Sequence, residues 1–430
     1  MAGVVSATAR AESSATTSAP TTRTLTLEQA LAQAKKNNRS LTAEQARLEQ
    51  AQVNVDRAWT VLFPTLAAQG KFTRNNTAFP FQVNATEIRT IQPVNQLDAA
   101  INFTMPLLVP AAYPALHAVE MNQKVSEETY KTSLDNILFA VAQTFHSAVL
   151  ADEVLLARRA NITVTRATLT NAQTRFSAGS VTKVDVDRAE LAVLRAVQAE
   201  RDAQLALDQT YRALATLIQE PPGFHVVAPT ATAPAATTAS DAGGNVDLAL
   251  HLRPEFRSLE ATIEAENAEQ RSYAWKWAPS LSGFGNARRF NYQNFKGDSY
   301  AWAVGLQLDW ILYDGGIRDT QRHLAGAIAK EIAVRADVLR DTIRDDIANG
   351  LQQIATKTQG QQTAERSVDL ARETIELVRV QYEAGTATQV DLLQAQDNLV
   401  AAQDALARAR FDIALADLTV RRASGTLAGR

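Results

Sequence analysis

Residues 113–176 contain no glycine, and their one proline, Pro114, stands at the very start. A breaker-free stretch of that length predicts a single helix of roughly 95 Å at 1.5 Å per residue. A second stretch, Ile317–Glu383, carries only Gly326, Gly350 and Gly360 in its interior and predicts a helix of roughly 100 Å. Globular helices average about 11–12 residues, so neither fits inside an ordinary core. Each needs partners along its whole length. Two shorter helical segments per half supply them: 25–62 and 183–218 in the first, 254–278 and 389–423 in the second. Stacked end to end, each pair matches one long helix.

The two halves are copies. "RFSAGSVTKVDVDRAEL" at Arg175 aligns with "QYEAGTATQVDLLQAQD" at Gln381 at a constant offset, 385 − 179 = 206. "PTLAAQGKF" at Pro64 aligns with "PSLSGFGNA" at Pro279, offset 215, and "FTMPLLVPAA" at Phe103 with "LDWILYDGGI" at Leu308, offset 205. The segment between these landmarks is therefore ten residues longer in the first copy, 215 − 205. The organisation expected is a first repeat over 24–220, a Pro/Ala/Thr-rich linker over 221–245 and a second repeat over 246–430. Residues 1–23 read either as the remnant of a signal peptide, with Ala9-Arg10-Ala11 resembling a cleavage site, or as a disordered Ala/Ser/Thr tail.

The repeated motif reads as the tip of a helical hairpin. Gly179 and Gly385 follow a long helix, where glycine ends it in the left-handed region. Thr182 and Thr388 are N-cap residues of the returning helix. Asp185 and Asp391, three residues later, take the acidic place of a capping box. Beyond each tip, Ala189, Ala192, Ala196, Ala199, Ala203 and Ala206, and in the second copy Ala395, Ala402, Ala405, Ala409 and Ala416, repeat at three-four spacing, which specifies a left-handed coiled coil.

Each repeat also holds two strands. From Gln96 to Met105, Leu97, Ala99, Ile101, Phe103 and Met105 alternate with Asp98, Ala100, Asn102 and Thr104. From Tyr300 to Trp310, Tyr300, Trp302, Val304, Leu306, Leu308 and Trp310 oppose Ala301, Ala303, Gly305, Gln307 and Asp309. Period two gives a strand with one apolar face. Weaker partners lie at 65–73 and 281–290. A pair of soluble hairpins is the plainer reading, but an isolated hairpin is marginal, and Trp302 and Trp310 stand near the ends of one strand as an interfacial aromatic belt would place them. Leu97, Ile101, Phe103, Trp302, Val304, Leu306, Leu308 and Trp310 are accordingly expected to face lipid.

Composition excludes several classes. A net charge of −3 and a pI near 6.0 argue against nucleic acid as a partner. The absence of cysteine excludes disulfides, thiolate metal sites and cysteine nucleophiles. The five histidines, His117, His146, His225, His251 and His323, show no metal-binding spacing. "GFG" at Gly283 and "DGG" at Asp314 lack a nucleotide-binding context and read as turns flanking strands. No enzyme, cofactor or metal site is expected. No run of about 18 apolar residues is present, so no membrane-spanning helix is expected, which leaves a β-barrel open.

The stretch "YEAGTATQVDLLQAQDNLVAAQDALARARFDIALADL" and the "WILYDGG" junction resemble the TolC-like outer-membrane efflux proteins, and the resemblance extends over about 25–425, duplication included. It implies a mostly helical fold with a small β part. Long antiparallel coiled-coil helices would form a trimeric periplasmic α-barrel, and four strands per chain would enter a shared twelve-stranded transmembrane barrel. It implies an outer-membrane exit duct of a tripartite efflux or type I secretion system in a Gram-negative bacterium. The partners would be two further copies, outer-membrane lipid, a periplasmic adaptor and, through it, an inner-membrane pump.

Carried over residue by residue, the resemblance makes Tyr382 and Asp185 gate candidates and Asp391 a pore-ring carboxylate, with Gln394 where the ring has a second acid. Ala387 stands where the family has a latch arginine. The tips Gly179, Ser180, Val181, Thr182 and Gly385, Thr386, Ala387, Thr388 are expected to dock the adaptor. The competing reading is a soluble periplasmic coiled-coil scaffold or adaptor, which leaves four symmetrically placed strands unexplained.

Overall fold

The computed structural model describes residues 23–427, apart from 83–85, 87, 222, 230–241 and 295. Residues 1–22, most of the expected leader or tail, lie outside the described residues, as does the middle of the expected linker. The described residues form two compact units, each drawing on both sequence repeats.

The first unit gathers residues 23–37, 140–229 and 357–415. It opens with β1 (Arg23–Leu25) and α1 (Leu27–Asn37). Into it run the later part of α3 (Ala112–Ser177) and all of α4 (Lys183–Ile218). The end of α7 (Ile317–Glu383) and most of α8 (Gln389–Ala423) complete it. A three-residue strand, β6 (Phe224–Val226), pairs parallel with β1, Thr24 opposite His225. The expected linker therefore begins with ordered structure. Leu25, Val141, Phe145, Leu214 and Ile218 are fully buried here.

Buried alanines follow a heptad. Ala189, Ala196 and Ala203 are buried, Ala192 and Ala199 half-buried, and Ala206 exposed. In the second copy Ala395 and Ala416 are buried, Ala402 and Ala409 half-buried, and Ala405 exposed. Spacing of seven keeps one line of small residues against the partner helix. Cross-helix pairs fix the register: Arg158 with Asp404, Arg159 Nη2–H to Gln204 (2.9 Å), and the buried Gln396 amide to the Thr168 hydroxyl (2.8 Å).

The second unit gathers 38–139, 242–356 and 416–427. The expected helix over 25–62 is broken. Asn38 adopts an extended backbone and caps α2 (Arg39–Trp59), its side chain accepting from the Ser40 and Leu41 N–H groups. Four strands form one antiparallel sheet in the order β2 (Thr65–Arg74), β5 (Asn95–Leu108), β7 (Ser280–Phe290), β8 (Tyr300–Asp309). "GFG" lies inside β7 rather than in a turn, and Trp310 stands one residue past β8. The extra length of the first repeat is a hairpin, β3 (Phe79–Gln82) with β4 (Ile88–Gln92).

Helices α5 (Ala242–Leu252) and α6 (Pro254–Trp275) pack with the early part of α7 and the end of α8 around Val246, Leu250, Phe256, Ile343, Ile347 and Ala423. A side chain at Gly350 would meet Val420 at 2.6 Å, so glycine there permits close approach of α7 and α8. Glu128, 2 % exposed, is held between Lys131 and Arg257. Among the described residues, α3 alone is long and apolar enough by composition to cross a membrane, which a search for unbroken apolar runs misses. Several of its apolar side chains, Val141, Phe145 and Ala148 among them, are buried.

Candidate functional site: helical tips and strand faces

Both tips close by the same hydrogen bonds. Gly179 (φ 72°) donates from its N–H to the Phe176 carbonyl (2.9 Å), and Ser180 to that of Arg175 (2.8 Å). Gly385 (φ 78°) donates to Tyr382 (3.2 Å), and Thr386 to Gln381 (2.9 Å). Paired bonds of this kind satisfy helix-end carbonyls and need a left-handed residue, which glycine supplies without strain.

Each returning helix then opens with a reciprocal cap. Asp185 Oδ2 accepts from the Thr182 N–H (3.0 Å), and Thr182 Oγ1 accepts from the Asp185 N–H (3.4 Å). At the second tip the corresponding bonds are 2.8 Å and 3.2 Å, and the Thr388 hydroxyl also donates to Asp391 (2.7 Å). That hydroxyl, and then the Thr388 N–H, hold the exposed Asp391 carboxyl below its ordinary pKa. Gln394 is exposed one turn on, its amide donating to Asn398 (3.0 Å). Ser180 and Thr386 are exposed, Val181 and Ala387 half-buried.

The expected gate pair is not hydrogen-bonded. Asp185 is occupied by Thr182 and, at 3.6 Å, by Arg188. Tyr382 is 4 % exposed, and its hydroxyl has no hydrogen-bond partner among the described residues. Burial pushes its phenol pKa up, against the opposing effect of the Arg175 charge. Arg175 covers the Tyr382 ring and donates to the Tyr382 and Glu383 carbonyls (3.1 and 3.3 Å). Sequence reasoning missed Arg175, although the repeat holds the clue. At offset 206, Arg175 falls on Gln381 and Phe176 on Tyr382, so the copies differ where α3 meets α7.

The register sorts the strand faces. Directly paired residues share a face, which gives the rows Leu66–Phe103–Gly285–Val304 and Ala68–Ile101–Ala287–Trp302, with Met105–Gly283–Leu306 and Leu108–Leu281–Leu308 nearer the helices. This face is apolar and exposed, Trp302 at 70 %. The opposite face carries Lys71 beside Asp98, Asn102 hydrogen-bonded to Asn286, and Gln307 bonded to Asp309.

Where β8 gives way to α7, the Trp310 indole N–H donates to the Trp277 carbonyl (3.1 Å). Arg318 lies 3.8 Å from the Trp277 ring centroid and donates to Asp314 (2.8 Å) and to the Lys276 carbonyl (2.9 Å). Asp314 accepts the Gly316 and Arg318 N–H groups, which explains "DGG" as the cap of the long helix. Among the described residues, no cluster of three or more His, Asp or Glu side chains is placed to hold a metal.

Residues 30–219 and 245–426 match the family model described as outer membrane efflux protein. The chain belongs to that family. Outer membrane protein TolC of Vibrio cholerae is 23 % identical over 88 % of this chain and 90 % of its own length. The alkaline protease secretion protein AprF of Pseudomonas aeruginosa is 24 % identical over 76 % of this chain and 69 % of its own. The solved structure of the outer membrane protein VceC of Vibrio cholerae, 18 % identical, superposes with a TM-score of 0.78 over 93 % of this chain and 96 % of that one. This outer membrane efflux protein is thus a channel with a periplasmic helical region and not an enzyme. TolC-like channels form trimers.

Proposed function

We propose that three copies of the chain form one exit duct of a tripartite efflux or type I secretion system. The observation that carries this is the open sheet. The outer edges of β2 and β8 have no partner strand among the described residues, and the two strands run in opposite directions. Under rotational symmetry β8 of one copy therefore pairs antiparallel with β2 of the next, and three copies close an even-numbered barrel of twelve strands with no edge. Leu97, Ile101, Phe103, Trp302, Val304, Leu306 and Leu308 then face lipid, and the polar face lines the water-filled lumen. Trp310 belongs to the belt at the helix end of the strands.

The tips support the same symmetry independently. Tyr382 is covered by Arg175, while its counterpart Phe176 is 46 % exposed. The second repeat of a neighbouring copy would cover it. The exposed tip residues Ser180 and Thr386 would engage a periplasmic adaptor, which links the duct to an inner-membrane pump. The cargo is small molecules or, as the name of the Pseudomonas relative suggests, secreted proteins.

The chain has no cysteine, so introduced ones report cleanly. With Phe176→Cys and Gln381→Cys together, oxidation should give a ladder ending at the trimer on denaturing gels. A particle of one protomer mass, or a ladder passing three, would overturn the trimer. Photocrosslinkers at Ser180 and Thr386 should capture a periplasmic protein, and capture only from the surface near Val227 would move the docking site.

A further inference from the structure

We infer that the outer end of the sheet's apolar face binds the phosphorylated headgroup of an outer-leaflet glycolipid, through Arg74 and Arg289. The inference rests on that face being the lipid-facing one. The helices join the strands at one end, and the helical region is periplasmic, so the hairpin ends of β2–β5 and β7–β8 point outward. Continuing the apolar face in that direction, the rows after Ala68–Ile101–Ala287–Trp302 are Gly70–Ala99–Arg289–Tyr300, then Phe72–Leu97, then Arg74–Asn95. Two arginines thus stand on an otherwise uncharged face, both at its outer end.

Their surroundings are unlike those of Lys71 on the other face. There Lys71 stands in register opposite a carboxylate, Asp98, which accepts from Gln96 and Tyr292. On the apolar face no aspartate or glutamate occupies any paired position from Leu66 to Arg74. The Arg74 and Arg289 side chains are exposed and make no hydrogen bond, ion pair or ring contact with the described residues. A cation at a bilayer surface without a protein anion is satisfied by water or by an anionic headgroup.

The shape favours the headgroup. Beside Arg289 stand Gly70 and Ala99, and a side chain at Gly70 would meet nothing within 4 Å. Phe72 and Leu97 lie in the next row outward, and Ile101 and Trp302 in the next row inward. The guanidinium therefore has open space at the level where Tyr300 and Trp302 mark an interfacial belt. Arg74 and Arg289 are four residues and two strands apart, roughly 17 Å between Cα atoms, with two long side chains to narrow the gap. Guanidinium groups bind phosphate through paired hydrogen bonds, and two at this spacing suit a headgroup with a phosphate at either end.

The test uses the intact assembled protein. A nitroxide on Val304→Cys first reads the face: relaxation by lipid-soluble oxygen is expected, and relaxation by an aqueous nickel chelate instead would overturn the lipid-facing reading and this inference with it. The protein is then titrated with bis-phosphorylated lipid A and with the same glycolipid stripped of phosphate, and bound lipid is counted by native mass spectrometry. Tighter retention of the phosphorylated form is expected. Arg74→Gln and Arg289→Gln should each weaken it about fivefold, and the double variant should no longer distinguish the two lipids. Arg288→Gln, on the opposite face, should change nothing. Equal retention of both lipids by the parent, or full discrimination by the double variant, would overturn the inference while leaving the lipid-facing reading intact.

Discussion

The Arg175 guanidinium lies 4.6 Å from the centroid of the Tyr382 ring and donates hydrogen bonds to the carbonyls of Tyr382 and Glu383. One side chain at the end of α3 thus both covers the aromatic ring and satisfies the last carbonyls of α7. The charge also suits the negative end of that helix. Arg175→Ala should loosen the second tip by about 1–2 kcal/mol, seen as faster amide exchange at Gly385 and Thr386. Tyr382→Phe should leave exchange unchanged, because the phenol hydroxyl has no hydrogen-bond partner to lose among the described residues. The opposite ranking would show that the hydroxyl, not the cation–ring contact, ties the tips together.

A second expectation concerns Glu128, almost fully buried between Lys131 and Arg257. Burial alone would raise its pKa, but hydrogen bonds from Arg257 and Lys131 outweigh it and hold the carboxyl below its ordinary value of 4.5. A depressed folded pKa stabilises the fold above the ordinary value, and that stability is lost as pH falls below it. Arg257→Met leaves Lys131 as the one remaining cation. The cost should be about 1.5–3 kcal/mol at neutral pH in denaturant unfolding, shrinking once the pH is low enough to protonate Glu128. An equal loss at every pH would mean packing, not charge, is what Arg257 supplies.

Lysine scanning separates the two strand faces. Leu306→Lys should cost about 2–4 kcal/mol if it lies near the bilayer midplane and reduce assembled barrel in membrane fractions. Gln307→Lys should assemble normally, because Gln307 lies on the polar face proposed to line the lumen. Normal assembly of the first with failure of the second would invert the faces.

Much of this was legible because punctuation is strong where helices turn. The tip ends of α3, α4, α7 and α8 follow from Gly179, Thr182, Gly385 and Thr388, a left-handed glycine and a capping threonine at each tip. The strands were legible from their alternation. What was not legible depended on distant partners. A three-residue strand such as β1 means nothing until Phe224–Val226 lies beside it. Gly283 and Gly285 fall within the strand expected over 281–290, yet alone they also read as a turn, until the register sets them opposite Leu306 and Val304. The break at Asn38 was written as Asn37-Asn38-Arg39-Ser40 but is outweighed, in a periodicity count, by the helical residues on both sides. Arg175 was hidden because attention to what two copies share passes over the place where they differ.

Asp391 carries the last expectation, in which two roles compete for one carboxylate. It caps α8 through Thr388, and the hydrogen bonds that do so hold its pKa down. The cap is therefore complete above the ordinary value of 3.8 and is lost as pH falls below it. In the trimer, three copies around the narrowest part of the duct would also create a negative potential that favours cations. Asp391→Asn removes the charge but keeps a short side chain that can accept from Thr388. Amide exchange near Asp391 should then lose its acid-dependent step, while the neutral-pH rate stays close to that of the parent. Zero-current potentials of the trimer in a planar bilayer under a salt gradient test the second role. Cation preference in the parent and a clear fall in the variant would place the carboxylate in the pore. Equal potentials, together with the altered acid profile, would leave Asp391 a helix cap alone.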